Sequence, residues 1–151
     1  MGKQIVARLV PKRARSISPI PRSCRVFSHD LLAIFDKLNR KYFQDRLRAE
    51  ICWMRQHRAG EWAKKDIMLG TCHVETQHIR INPALNHKWV PRWFVESVVY
   101  HEMLHLVIPI PVVRGLKNYH TPEFQRALQK FPLHRLADWW ERNNKDRLCS
   151  C

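Results

Sequence analysis

Apolar residues recur along this chain at two spacings, and the change from one to the other divides it. Leu31, Leu32, Phe35, Leu38 and Tyr42 fall at helical intervals, with Asp30, Asp36, Lys37 and Arg40 between them. That is the pattern of a helix laying one stripe on a core, and Ser28 reads as its cap. Ile51-Cys52-Trp53 reads as a short strand, and the polar run from Arg55 to Lys65, with Gly60, reads as a loop. Residues 67–74 and 77–82 read as two more strands. In the second, Ile79 and Ile81 share one face. Glu75-Thr76 is short enough to close a hairpin, and Pro83 ends the pairing. From Trp93 onward no Gly or Pro interrupts a pattern spaced as in a buried helix, with Pro91 at its opening. Pro109 and Pro111 remove donors and stop it, and Gly115 permits a tight bend. Thr121, Pro122 and Glu123 supply the cap, first residue and first-turn carboxylate of a third helix. Pro132 opens a fourth, containing Leu133, Leu136, Ala137 and Trp140. Helix, strands, then helices predict an α+β domain.

The long apolar helix carries His101-Glu102-Met103-Leu104-His105. On a helix, residues four apart lie one turn apart on the same face, so His101 and His105 can share one metal ion. Glu102 is the neighbour placed to take a proton from water activated by that ion. Zinc acting catalytically takes three protein ligands and leaves a position open. The third candidate is His120, at the end of the proline-broken loop and just before the cap of the next helix. Tyr119 beside it is a candidate to assist an oxyanion, although a tyrosine in such a place more often packs. Histidine occurs nine times, so a pair at this spacing can arise by chance. The apolar helix around the pair and the third histidine are what raise it above coincidence.

Length and charge narrow the picture. The 151 residues suit one core. No stretch approaches the roughly 20 apolar residues that span a bilayer. A formal charge of +14 draws the chain to polyanions, DNA among them. Arg114, Lys117, Arg126 and Lys130 follow the motif and are candidate nucleic-acid contacts. Trp62, Trp89 and Trp93 can stack on unpaired bases, but burial in a core is the commoner use of tryptophan. Residues 1–28 are basic, lack any acid and contain Pro11, Pro19 and Pro21, the composition of a disordered arm. They lack the apolar core of a secretory signal, and their prolines oppose the amphipathic helix of an organelle transit peptide. The domain is expected over 29–145, with 146–151 a tail. Five scattered cysteines fit a reducing compartment, hence a cytoplasmic or nucleoid- or nucleus-associated protein. Cys149 and Cys151 make only a weak metal motif.

From about Leu31 to Trp140 the chain resembles the SprT-like zinc metallopeptidase domain family, which is Spartan-related. The resemblance rests on residues 32–43, on Gly70-Thr71-Cys72 and Ile79-Arg80-Ile81-Asn82-Pro83, on the 101–105 motif, and on His120-Thr121-Pro122-Glu123-Phe124. It implies a zincin-like fold: an N-terminal helix, a small antiparallel sheet packed on the active-site helix, and two C-terminal helices. It also implies Zn2+ held by His101, His105 and His120, with Glu102 as general base in the hydrolysis of a protein substrate. Many bacterial relatives carry a zinc ribbon with paired Cys-x-x-Cys motifs, where this chain has Cys149 and Cys151. The rival reading is a noncatalytic, zinc-stabilised nucleic-acid-binding module. A structural zinc site is closed by four protein ligands, and the sequence offers three well-placed ones.

Overall fold

The computed structural model describes residues 28–55 and 67–150. Residues 1–27 of the arm expected over 1–28, most of the loop expected at 55–65 with Trp62, and Cys151 lie outside the described residues. Helix α1 spans Leu31–Tyr42 and buries Leu31, Ile34, Phe35 and Leu38. Leu32 belongs to the same apolar series but faces solvent. Asp30, not Ser28, caps the helix: its carboxylate accepts from the Ala33 amide at 3.0 Å. The Ser28 amide is engaged elsewhere, donating to Asn86 Oδ1 at 2.8 Å.

Three strands follow: β1 Glu50–Trp53, β2 Gly70–His73 and β3 His78–Ile81. The hairpin expected between the last two is present, with Cys72 opposite Ile79. The sheet is not purely antiparallel as expected. Its order is β1-β3-β2, and β1 runs parallel to β3, with Ile51 opposite Ile79. The reason is chain length. Residues 54–69 allow β2 to start two places away from β1, and the tight β2–β3 turn then brings β3 back between them. Ile79 and Ile81 are fully buried and Arg80 is exposed, so one face of the sheet is covered.

That cover is helix α2, Arg92–His105, which also contacts α1. Pro91 occupies the cap position and fixes the entry of the chain. Phe94, Val95, Val98, Val99, Met103 and Leu104 are buried, so the helix is enclosed on most sides rather than amphipathic. Glu96, also buried, meets the Lys37 ammonium at 2.8 Å and the Arg92 guanidinium at 3.2 Å, which ties α1 to α2.

After α2 a small hairpin forms from β4 Val112–Val113 and β5 Leu116–Lys117, where the sequence suggested only a bend. Arg114 and Gly115 both take positive φ, 51° and 80°. This is the backbone of a two-residue type I′ connection, whose twist matches that of paired strands. Helix α3, Pro122–Leu128, starts where expected, with Thr121 accepting from the Phe124 amide at 3.2 Å. Helix α4, His134–Cys149, buries Leu148 near its end. Its inner side carries Ala137 and Trp140, while Leu133, Leu136 and Trp139 face outward. Trp140 lies 4.1 Å from Phe94 and 5.7 Å from Trp89, centroid to centroid, which places Trp89 in the aromatic packing. No helix among the described residues is long and apolar enough to cross a membrane.

The turn after α1 depends on Asn39, whose side chain is enclosed. Its Oδ1 accepts from the Leu47 amide at 3.1 Å and its Nδ2 donates to the Leu47 carbonyl at 3.1 Å. Gln44 and Asp45 between them hold positive φ. Asn39→Ala leaves both backbone groups without that partner and should cost roughly 1–3 kcal/mol. Urea unfolding measures this, and an unchanged midpoint would contradict the role given to Asn39.

Candidate metal centre

Helix α2 delivers His101 and His105 to one side, as the spacing requires, and Glu102 to the adjoining side. The loop and the β4–β5 hairpin carry the chain away and return it at His120, next to the cap of α3. Histidines 101, 105 and 120 converge: one ligand atom from each lies within 4.8 Å of the others. The Nε2 atoms of His101 and His120 are 3.1 Å apart. Two ligands on a tetrahedral ion with bonds of about 2.05 Å are separated by roughly 3.3 Å, so this edge suits a zinc ion.

Phe124 organises the cluster. Its ring is fully buried and lies 4.9 Å from His101, 4.5 Å from His105 and 4.9 Å from His120 by ring centroids. The His105 ring stacks on it at 27°. Among the described residues, buried His105 Nδ1 has no hydrogen-bond partner, so the Phe124 ring rather than a contact at Nδ1 orients it.

The electrostatics agree with a site for a cation. Burial, then the neighbouring His105, His120 and His134, pushes His101 down to about 3. Burial and His120 push His105 down to about 4. Both rings are therefore neutral at physiological pH, the form that donates a lone pair to a metal. Burial drives the Glu102 carboxyl the other way, up to about 8. A cation at the histidines opposes that shift, since a nearby positive charge favours the carboxylate. Among the described residues the histidine group contains no fourth His, Cys, Asp or Glu donor. The donor set thus fits zinc in its open, three-ligand form.

Glu102 rests against strand β2. A methyl group at Gly70 would come within 2.8 Å of Glu102 Cγ and Oε1. Gly70 thus provides the gap into which the carboxylate fits. Cys72, two residues on, is pushed up to about 12 by burial, then by Glu102 and Glu75, and stays a thiol. A cavity of about 350 Å³ opens beside the cluster, with His101, Glu102, His120 and Gly70 on its wall. Phe94, Leu128 and Phe131 supply apolar surface, and His134, Asp138 and Glu141 come from α4.

Tyr119 is half exposed, its ring 6.3 Å from His105, and it does not line the cavity. Arg114, Lys117, Arg126 and Lys130 are exposed on the hairpin and on and just after α3. Gly70, Phe124, His134 and Asp138 were not singled out as site residues from sequence reasoning. A glycine inside a strand pattern is a signal of close approach that would have pointed to Gly70.

In metal-free protein the pKa shifts carry opposite signs in stability. The neutral histidines contribute stability that is complete above 6.5 and lost as the pH falls toward 4 and then 3. The protonated Glu102 contributes stability that is complete below 4.5 and lost as the pH rises through 8. Melting of the metal-free wild type and Glu102→Gln isolates the second effect. The wild type should lose ground steadily to Glu102→Gln from pH 4.5 to pH 8, whereas a constant difference would contradict a buried, proton-holding Glu102.

A scan against protein-family models matches residues 31–137 to the model described as the SprT-like family. No curated protein matches the chain.

Proposed function

The chain belongs to the SprT-like family, and from that premise we propose that it is a zinc-dependent metallopeptidase acting on proteins associated with nucleic acid. The observation that carries the reading is the convergence of the three imidazoles with no fourth donor among the described residues, beside a buried carboxylate and a cavity. A closed structural site would need another ligand, so the geometry favours hydrolysis over a purely stabilising metal. His101, His105 and His120 would hold the ion. When bound, zinc supplies Lewis acidity, polarising a carbonyl and making water a better acid.

The chain's own residues do the rest. Glu102 accepts a proton from the attacking water and passes it to the departing nitrogen. Its enclosure between α2 and β2 keeps it from wandering, because the Gly70 backbone sits directly against it. Phe94, Leu128 and Phe131 offer apolar surface to a substrate side chain. The nucleic-acid part of the proposal rests on the charge of +14 and on the exposure of Arg114, Lys117, Arg126 and Lys130.

Glu102→Gln keeps the volume and removes the base. It should bind zinc at the wild-type stoichiometry and lose cleavage of casein by at least ~100-fold, the scale of general-base catalysis. Metal analysis and a casein assay, with and without single-stranded DNA, check both halves. Wild-type cleavage in that variant would remove Glu102 from its role.

A further inference from the structure

Hydrolysis moves negative charge onto the oxygen of the scissile carbonyl, and the cavity holds a further side chain suited to meet it. His134 is the first residue of α4 and lines the same cavity as His101, Glu102 and His120. Its side chain is only 17 % exposed. One turn along the helix, Asp138 Oδ2 lies 3.6 Å from His134 Nε2. At 3.6 Å that contact is an ion-pair distance rather than a hydrogen bond, and it sets the carboxylate beside the Nε2 edge of the ring.

We infer that His134 is a further catalytic residue, donating a ring N–H to the carbonyl oxygen of the scissile peptide as that oxygen becomes anionic, with Asp138 as the positioning residue. The inference rests on the metallopeptidase reading of the same site. Other side chains on the wall are less suited. The Ser97 hydroxyl already donates to the Phe94 carbonyl at 2.7 Å. Asp138 and Glu141 accept rather than donate when ionised. Tyr119 lies outside the cavity wall. Helix α4 is also a firm support, since Ala137 and Trp140 anchor it in the core and the His134 amide donates to the Phe131 carbonyl at 3.0 Å.

The step balances as follows. The water oxygen bonds to the carbonyl carbon and its proton passes to Glu102. The carbonyl π pair withdraws onto oxygen, where the His134 N–H donates. As that pair returns, the carbon–nitrogen bond breaks, and the amide nitrogen leaves as an amine with the proton from Glu102. The carbon keeps the hydroxyl, giving a carboxylic acid. A donor placed at the developing oxyanion acts on the transition state more than on the bound substrate, so it appears in kcat.

The experiment uses zinc-loaded full-length chain and fluorescein-labelled casein, comparing wild type with His134→Ala, His134→Gln and Asp138→Asn. His134→Ala should lower kcat about 100-fold with KM and zinc content unchanged. His134→Gln restores an N–H donor and should recover part of the loss, and Asp138→Asn should show a smaller loss. A peptide phosphonamidate, which imitates the tetrahedral centre, should bind His134→Ala more weakly by a similar factor in calorimetry. A merely structural His134 would not move that affinity selectively. If His134→Ala does not fold, His134→Phe keeps a ring without N–H groups and carries the same expectation. Wild-type kcat in these variants, or a loss confined to KM or zinc content, overturns the inference alone. A zinc-loaded wild type that cleaves no casein defeats the metallopeptidase reading and this inference with it.

Discussion

Two histidines on α2 and one at the entrance to α3 face one another because the Phe124 ring lies under all three, at centroid distances of 4.5 to 4.9 Å. The ring is fully buried, so it cannot leave without opening a hole in the core. Truncation of a buried phenylalanine costs about 3–5 kcal/mol, a large part of the stability of a domain this size. The same contact that completes the core therefore fixes the mutual positions of the imidazoles. His120 lies on an exposed stretch with few other constraints, and the start of α3 gives it a place. Thr121 capping and Pro122 in the first turn make that start well defined.

The second constraint is desolvation. Placing three imidazoles and a carboxylate at the edge of an apolar core keeps the histidines neutral and holds a proton on Glu102. Neither condition helps the metal-free fold at every pH, since one favours higher pH and the other lower. A cation would serve both groups, accepting the lone pairs of the rings and drawing Glu102 toward its ionised form. Gly70 belongs to the same logic, because the carboxylate can approach β2 only where no side chain intervenes.

Much of this was legible in the residues. The helical spacing of His101 and His105, the capping signals at Thr121 and Pro122, and the alternation of Ile79 and Ile81 each follow from local geometry, and the structure has them where expected. The parallel pairing of β1 with β3 was not legible, because strand order depends on where a long connection returns and alternation is the same in either sense. The β4–β5 hairpin was missed because Arg114 is a poor indicator of positive φ, and only Gly115 signalled the turn. The length of α4 was not legible, since a single buried Leu148 in a polar stretch leaves no periodic trace. His134 and Asp138 carry an i,i+4 spacing that surface pairs share, and only the cavity distinguishes them.

The central claim is that His101, His105 and His120 grip one ion together. The most direct measurement is zinc affinity by competition with a chromophoric chelator, for the wild type and for each histidine replaced singly by alanine. The account predicts tight binding of one equivalent by the wild type and a large loss in every variant, His120→Ala included, although that residue is 19 positions from His101 in sequence. Wild-type affinity in His120→Ala would mean that the third imidazole is a bystander and would contradict the account.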